Sequence, residues 1–382
     1  HITGVVPNNE AIVAVAQKVL GVETMSILVV GLLMNLLIAR FTKFKYVFLT
    51  GHHSLFMACL MSAVLGTAGL SGIELILVGG FLMGAWSAIS PAIGQSYTSK
   101  VTDGDEIALG HFGSLGYYLS AWVAKYVGKA EESTEDIEIP EKWGFLRDST
   151  LSTALTMIVF YLIAAIAAGS EFVSTLSGSM SPYLFAVMSA MNFAVGVAIV
   201  YSGVRMILGD LIPAFQGIAT KIIPNAIPAV DCAVFFTYAP TAVVLGFISS
   251  FIGGIIGMLI LGAVGGVLII PGLVPHFFCG ATAGIYGNAT GGRRGAAVGA
   301  FLNGLAITFL PALALPVLGQ LGFQNTTFGD ADFAVMGLVL GNAFEWIGMA
   351  GIYGVVVIAA LVLIIPNFIK TKGKVINYVE EE

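Results

Sequence analysis

Three histidines and one aspartate stand out because they interrupt otherwise apolar runs. His52 and His53 lie together in "LTGHHSLF", and His111 lies in "LGHFGSLGYY". Imidazole can donate or accept a proton and can hydrogen-bond a hydroxylated ligand. Asp231 follows two prolines and precedes the apolar run "CAVFF". Prolines free backbone groups by interrupting a helix, and a carboxylate beside such a break can accept a proton or a hydrogen bond from a hydroxyl. These four residues are candidates for a functional site.

Each candidate also has an alternative role in the fold. Asp231 could cap the N-terminus of a half-helix, and that role is compatible with a functional one. Neighbouring residues on a helix point about 100° apart, so we expect at most one of His52 and His53 to face a cavity. The other histidine of the pair would then pack in the interior, and His111 has the same two alternatives.

Other polar residues in apolar segments give weaker signals. Glu345 is expected nearer the outer end of the last span, where water can solvate it, and His276 follows two prolines, which indicates a re-entrant bend. An apolar neighbourhood makes a thiol inert, so Cys232 is expected to pack. Asn8 and Asn9, followed by an acidic residue, predict the start of a helix, because asparagine is a good N-cap.

The composition predicts that these residues are surrounded by lipid and protein rather than by water. The 382 residues have a mean hydropathy of +0.95, 57% are hydrophobic and only 10% are charged, against about 25% charged in a soluble domain. We count about nine long apolar segments, including Leu155–Ala168, Tyr183–Leu208, Ala296–Leu318 and Ala334–Pro366. The sequence therefore predicts an all-α polytopic membrane protein, in which an ionisable group inside a span is a functional candidate.

Several classes of function are disfavoured. The three cysteines show no paired spacing, and the histidines are too scattered for a spacing argument, so we expect no disulfide framework, no metal site and no cofactor. The glycine-rich "GNATGGRRG" lacks the ending of a phosphate-binding loop, which disfavours ATP-driven pumping. A net charge of −6 argues against nucleic acid as a partner. The chain begins with His1 rather than Met, so we expect a longer or processed natural protein.

Lysine and arginine cluster in segments that alternate with bare linkers, and Lys18 alone breaks the alternation. The positive-inside rule places the C-terminus, the 125–148 linker and the 293–294 turn in the cytoplasm. Residues 1–10 and the loops at 169–182 and 319–333 are expected outside.

One charge-dense stretch, Lys129–Asp148, divides the chain and is expected to be a solvated cytoplasmic linker. Residues 1–128 would be the remainder of a first transmembrane repeat, and 149–382 a connecting span with a second repeat. In both parts a basic turn leads into a short polar-bearing segment, two spans and a glycine-bearing stretch. This order is typical of transporters built from structural repeats, with sites where broken helices meet. Chance similarity between hydrophobic segments is the alternative.

Several long strings give the chain a family likeness. The strings "FLTGHHSLF", "VTDGDEIALGH", "IPAFQGIATKIIPNAIPAVDCAVFFTYAPTAVVLGF" and "LIIPGLVPHFF" resemble the membrane subunit, enzyme IIC, of the ascorbate-type phosphotransferase system. The resemblance runs from about Pro7 to the end of the chain. It implies inverted repeats with broken helices and re-entrant segments, arranged as a core domain and a dimerisation domain.

The resemblance also implies a function. Such proteins are homodimers in the bacterial inner membrane, surrounded by membrane lipid, and import L-ascorbate coupled to its phosphorylation. A phosphocysteine on enzyme IIB, charged by the upstream IIA, would donate the phosphoryl group. The IIC chain itself would carry no phosphate. It would bind and orient the substrate and provide alternating access.

The family's substrate pocket maps onto ten residues of this chain. They are Asn8, Asn9, His52, His53, Ser54, Leu55, Phe56, His111, Phe112 and Asp231. By this resemblance Asp231 would hydrogen-bond a substrate hydroxyl and could accept its proton, while His52 and His111 would bond the lactone ring and side-chain hydroxyls. Ascorbate is an anion at neutral pH, and half-helix N-termini near Gly51 and Asp231 would attract it.

The chain departs from the family pattern at several of these positions. Phe56 and Phe112 stand where ascorbate transporters have glutamine, and Asn8–Asn9 replaces Thr-Tyr. Losing two amides removes hydrogen bonds worth about 0.5–1.5 kcal/mol each. The pocket therefore either holds ascorbate differently or takes a related sugar or sugar acid. A proton-coupled secondary carrier, and a channel or membrane sensor, remain as alternative functions.

Overall fold

The computed structural model describes residues 4–104, 107–138, 149–319 and 326–368. Long α-helices dominate these ranges, and their bounds are α1 (Asn9–Phe41), α2 (Gly51–Thr67), α3 (Gly72–Val101), α4 (Ser114–Val127), α5 (Ser149–Ala168), α6 (Ser170–Ser177), α7 (Pro182–Lys221), α8 (Cys232–Phe235), α9 (Pro240–Ala263), α10 (Leu273–Gly319), α11 (Ala331–Ile347) and α12 (Met349–Phe368). Seven helices in the described ranges are long and apolar enough to cross a membrane. The predicted fold class, an all-α polytopic membrane protein, is confirmed.

Two apolar stretches are broken where glycine adopts a left-handed backbone conformation. α10 folds back on itself at Gly291–Gly292, where Gly292 has φ +59°. Its two arms meet so closely at Gly287 and Gly295 that a Cβ on either residue would collide with the backbone of the other arm. The segment expected as one span over Ala334–Pro366 is instead two helices, because Gly348 (φ +61°) ends α11 and α12 follows.

Within the described ranges five short strands lie among the helices, and every strand pairing there is parallel. The strands are β1 (Val6–Pro7), β2 (Tyr46–Phe48), β3 (Ala108–Leu109), β4 (Ile227–Val230) and β5 (Thr326–Thr327). β1 pairs with β5, and β4 lies between β2 and β3. A helix begins within a few residues after each strand. Since neighbouring strands point the same way, the N-termini of α1 and α11, and those of α2, α4 and α8, are brought together.

A buried carboxylate fixes the junction between β3 and α4. The Asp332 side chain, which is fully buried, accepts hydrogen bonds from Ser114 Oγ (2.7 Å), Leu115 N (3.0 Å) and Trp86 Nε1 (3.1 Å). Its backbone N–H donates to the carbonyl oxygen of Phe112 at 2.9 Å. One residue of α11 therefore holds the start of α4 and also contacts α3.

The long helices form two packed groups and a peripheral layer. α1 packs with α2 and α3, while α10 packs with α4 and α9. At the α9–α10 contact Gly246 faces Gly280 and Gly284 at backbone distance, which is the small-residue packing typical of helices in membranes. α5, α6 and α7 pack mainly on one another, and α5 contacts α9.

Segments that were expected on one side of the membrane contact each other in the structure. Arg293 N donates to the carbonyl oxygen of Glu132 at 2.8 Å, and Lys43 N donates to Asn367 Oδ1 at 2.8 Å. The first contact joins the 125–138 segment to the 293–294 turn. The second joins the end of α1 to the end of α12. Residues 139–148 of the linker, residues 320–325 and the lysines at 370–374 lie outside the described residues.

The described part of the polar linker is held by hydrogen bonds to α9 and α10 and is not only solvated. Glu135, in a 3₁₀ turn at Thr134–Asp136, accepts hydrogen bonds from Thr241 N (3.1 Å) and Ala242 N (3.1 Å) at the N-terminus of α9. Thr134 N donates to Asn288 Oδ1 at 2.8 Å. This contact fixes the linker to the first arm of α10.

The Asp332 network gives a first test of the fold. Asp332→Ala leaves Trp86 Nε1 and Leu115 N without their buried acceptor, and we expect it to destabilise the protein by at least about 2 kcal/mol. Thermal unfolding of the purified protein in detergent measures this loss. Glu345→Ala is the matched control, because Glu345 is an exposed acid near the end of the same helix. Equal unfolding temperatures for the two variants would contradict the role given to Asp332.

Candidate functional site

A cavity of about 850 Å³ lies where the strands end and the helices begin. Its wall includes residues that follow each of the five strands, together with the first turn of α10. The cavity is within the roughly 300–1,000 Å³ range of sites for small molecules. Seven of the ten pocket residues expected from the sequence line it: Asn8, Asn9, His52, His53, Phe56, His111 and Asp231.

Asp231 is both a helix cap and a cavity residue. Its Oδ1 accepts the backbone N–H of Ala233 at 3.0 Å and so caps α8, as the sequence suggested. Its Oδ2 is buried and has no hydrogen-bond partner among the described residues. His52 Nε2 lies 3.4 Å from Oδ2, and the His52 side chain is 58% exposed. The second carboxylate oxygen therefore lies against the exposed His52 ring and makes no hydrogen bond with the described residues.

His53 and His111 form a buried pair beside this carboxylate. Their ring centroids are 3.8 Å apart. His53 Nδ1 accepts the backbone N–H of Phe112 at 3.3 Å, and His111 Nδ1 accepts that of Gly113 at 3.1 Å. Accepting at Nδ1 places the proton of each neutral ring on Nε2. The start of α4 thus sets the same tautomer in both histidines.

The expectation that only one histidine of the adjacent pair faces the cavity is wrong. Both His52 and His53 line it. They lie in the first turn of α2, directly after the break at Thr50, where the cavity wraps around the helix end. The two still differ in environment, since His52 is open to the cavity and His53 is buried.

Asn9 and Asp330 connect the start of α1 with the start of α11 at the cavity wall. Asn9 Nδ2 donates to Asp330 Oδ2 at 2.9 Å, and Asn9 Oδ1 accepts the backbone N–H of Gly329 at 3.0 Å. Asp330 Oδ1 accepts from Cys279 Sγ at 3.0 Å and lies 4.0 Å from His111 Nδ1. Asn8 caps α1 by accepting the N–H of Ala11, so the predicted helix start is confirmed.

Three expected pocket residues do not line the cavity. Ser54 and Leu55 lie on other faces of α2, where Ser54 Oγ donates to the carbonyl oxygen of Thr50 at 3.2 Å and Leu55 packs in the apolar core. Phe112 is fully buried and stacks on Phe48 with ring centroids 4.5 Å apart. Phe56 does line the cavity, and its ring meets those of His52 and His53 edge-on.

Sequence reasoning missed Asp330, which also lines the cavity. The signal was available in "FGDADFAV", since an aspartate directly before an apolar helical run is typical of an N-cap. The sequence analysis did not place Cys232 or His276 in the site. Cys232 is buried as expected, and His276 lies in the first turn of α10 with Nδ1 2.9 Å from Ser250 Oγ.

Three overlapping groups of side chains around the cavity have the chemistry of metal ligands. They are His52, His53 and Asp231; His53, His111 and Asp330; and His111, Asp231 and Cys232, with ligand atoms within 4.8 Å in each group. Spacing in the sequence could not reveal them, because they come from different strand-to-helix junctions. Nδ1 of His53 and of His111 already accepts a backbone N–H, which leaves only Nε2 of these rings for another partner.

Comparison with known proteins identifies the family. Residues 1–332 match the family described as the PTS system sugar-specific permease component. The chain belongs to this family. The resemblance predicted from the sequence is thereby confirmed.

A curated relative of the permease is the ascorbate-specific PTS system EIIC component of Mycoplasma pneumoniae. It is 25% identical over 307 residues, covering 69% of this chain and 46% of the relative. The chain thus spans about half the length of the curated relative it matches.

The two roles of Asp231 can be separated by substitution. Asparagine is as good an N-cap as aspartate, whereas alanine removes the cap at a cost of about 1 kcal/mol. We expect Asp231→Asn to unfold at the wild-type temperature and Asp231→Ala to unfold at a lower one, as measured by thermal unfolding in detergent. If the asparagine variant is as unstable as the alanine variant, the carboxylate charge itself supports the fold.

Proposed function

We propose that this permease is the membrane-spanning IIC component that imports L-ascorbate, or a related sugar acid, and presents it to a phosphorylated IIB subunit. The observation that best supports this proposal is the convergence of five strand-to-helix junctions on one cavity, where His52 Nε2 lies 3.4 Å from Asp231 Oδ2. The family membership supports phosphotransferase-type transport, and the likeness to the ascorbate-specific component of Mycoplasma pneumoniae supports ascorbate as the solute.

The geometry supports a division of roles within the cavity. Asp231 Oδ2 accepts a substrate hydroxyl, and His52, 3.4 Å away, contributes a second polar contact. His111, held by Gly113 N and Tyr117, offers its Nε2–H as a donor. Asn8 and Asn9 fix the start of α1, and their side chains are already engaged in the fold. Helix N-termini at the cavity wall favour oxygen-rich, electron-rich ligands.

Phosphoryl transfer then requires only positioning and one proton acceptor. The substrate hydroxyl oxygen attacks the phosphorus of the IIB phosphocysteine, the S–P bond breaks and an O–P bond forms. The cysteine sulfur leaves as a thiolate, and the hydroxyl proton passes to Asp231 or onward to water. In this scheme IIC carries no phosphate, and IIA recharges IIB.

The positions of the basic residues support an orientation in the membrane, and the packing of the helices supports an assembly. The basic segments that meet near Arg293 and near Lys43 would face the cytoplasm of a bacterial cell, with the protein in the inner membrane and its C-terminus inside. α5–α7 form a layer that packs mainly on itself, and we assign it the homodimer contact. Residues 1–128 and 149–382 would be related as inverted repeats around the 129–148 linker.

Uptake into membrane vesicles tests the proposal. Vesicles that contain the permease and phosphorylated IIB should accumulate phosphorylated L-ascorbate, because group translocation takes its energy from the phosphocysteine. A pH gradient without a phosphoryl donor should give no accumulation. In the same vesicles Asp231→Asn should abolish uptake while the protein remains folded.

The alternative is a proton-coupled carrier, which the His52–Asp231 pair could serve as a proton site. If a pH gradient alone drives accumulation of unmodified solute, the protein is a proton-coupled carrier and group translocation is contradicted. A channel would show no saturable uptake in either condition.

Phe56 gives a separate test of the solute. Phe56→Gln places an amide in the cavity beside His52 and His53, and we expect it to tighten L-ascorbate binding by up to about tenfold, the worth of one good hydrogen bond. Isothermal titration measures the affinity. Phe112→Gln is the comparison, because this ring stacks on Phe48 outside the cavity and should lower stability without a gain in affinity. If Phe56→Gln leaves the affinity for L-ascorbate unchanged, Phe56 does not contact the bound solute.

A further inference from the structure

Two hydrogen-bond donors converge on one nitrogen of His111. Gly113 N donates to His111 Nδ1 at 3.1 Å, and the Tyr117 hydroxyl oxygen lies 2.9 Å from the same atom. The side chains of His111 and Tyr117 are both buried. A backbone N–H can only donate, so Nδ1 carries no proton and the Tyr117 hydroxyl must donate to it as well. The proton of the neutral ring is therefore on Nε2.

A carboxylate near the same nitrogen favours the opposite tautomer. Asp330 Oδ1 lies 4.0 Å from His111 Nδ1, and a negative charge there stabilises a proton on that nitrogen. Asp330 is itself held by hydrogen bonds from Asn9 Nδ2 at 2.9 Å and from Cys279 Sγ at 3.0 Å. The carboxylate and the two donors thus act in opposite directions on one atom. Of the two donors, only the Tyr117 hydroxyl belongs to a side chain.

The hydroxyl of Tyr117 reaches Nδ1 because residue 113 has no side chain. A Cβ at Gly113 would collide with the Tyr117 hydroxyl oxygen, so the hydroxyl occupies the space that a side chain would take. Gly113 has φ −100°, which is outside the left-handed region that favours glycine. This glycine is therefore needed for the space beside His111 and not for its backbone conformation.

We propose that Tyr117 is a positioning residue, which keeps the proton of His111 on Nε2 against the pull of Asp330 and so makes His111 a hydrogen-bond donor to the solute. His111 lines the cavity. A ring that presents Nε2–H bonds an acceptor oxygen of a ligand and cannot take a hydroxyl proton at that nitrogen. Asp231 is then left to accept the proton in phosphoryl transfer. The role toward the solute rests on the proposed function, whereas the tautomer of His111 does not.

Two substitutions remove the hydroxyl from Nδ1 in different ways. Tyr117→Phe deletes the oxygen and keeps the ring in the apolar core. Gly113→Ala keeps the tyrosine and the backbone N–H, but its methyl group takes the place of the hydroxyl. Tyr118→Phe is the matched control, because Tyr118 is the next residue, is also buried, and packs its ring on those of Tyr97 and Tyr286.

NMR of the purified chain in detergent, with isotopically labelled histidine, measures the tautomer. The sequence has five histidines, and His111→Gln assigns the signals of His111. At about pH 8, where an ordinary histidine is neutral, we expect wild-type His111 to carry its proton on Nε2. Tyr117→Phe and Gly113→Ala should lower the ratio of Nε2–H to Nδ1–H by about three- to tenfold, the worth of one hydrogen bond. Tyr118→Phe should leave this ratio unchanged.

Isothermal titration with L-ascorbate tests the consequence for the solute. We expect Tyr117→Phe and Gly113→Ala to bind L-ascorbate about three- to tenfold more weakly, because a donor to the solute is lost in part of the molecules. Tyr118→Phe should bind it as the wild type does. Thermal unfolding in detergent verifies that each variant is folded.

Two results would overturn the role of Tyr117. One is a wild-type His111 with its proton on Nδ1, and the other is a tautomer ratio that Tyr117→Phe and Gly113→Ala both leave unchanged. A changed ratio with unchanged affinity for L-ascorbate contradicts the donor role of His111 toward the solute. Failure of the proposed function shows differently, as no binding of L-ascorbate by the wild type, and the NMR measurement then still decides the role of Tyr117.

Discussion

In an apolar solvent every backbone N–H and C=O must find a partner inside the protein, and the rest of this structure depends on that requirement. A helix that begins in the protein interior leaves its first N–H groups unpaired. Here the chain approaches such starts as a short strand, whose backbone groups pair with a neighbouring strand. The chain can therefore begin a helix away from the membrane surface without exposing peptide groups to lipid.

Parallel pairing also assembles the candidate site. Because β2, β4 and β3 run the same way, the residues after them emerge on one side, and the same holds for β1 and β5. Histidines and carboxylates that are far apart in the sequence thus become neighbours. A supporting layer keeps them there: Asp332 holds the start of α4, and the backbone of that start in turn fixes the tautomers of His53 and His111.

The sequence predicted the membrane environment, the helical class and most of the polar side chains that line the cavity. Long apolar runs identify helices in a membrane, and Asp231 was visible because an ionisable group there is costly. The strands were not predicted, since two to four residues carry no usable periodicity. A turn near 293–294 was expected, whereas Asp330 and the close contact between the two arms of α10 were missed. Their roles depend on contacts with residues such as Asn9 and Gly287, which no local pattern reveals.

The pairing of β1 with β5 has a consequence for biosynthesis. Val6 and Thr326 are neighbours in the sheet although 320 residues separate them. At a translation rate of roughly 5–20 residues per second, the first strand waits on the order of 15–60 s before its partner exists. During that interval the start of α1 must be protected by lipid headgroups, water or the insertion machinery. The wall of the cavity is consequently complete only after α1–α10 have been synthesised.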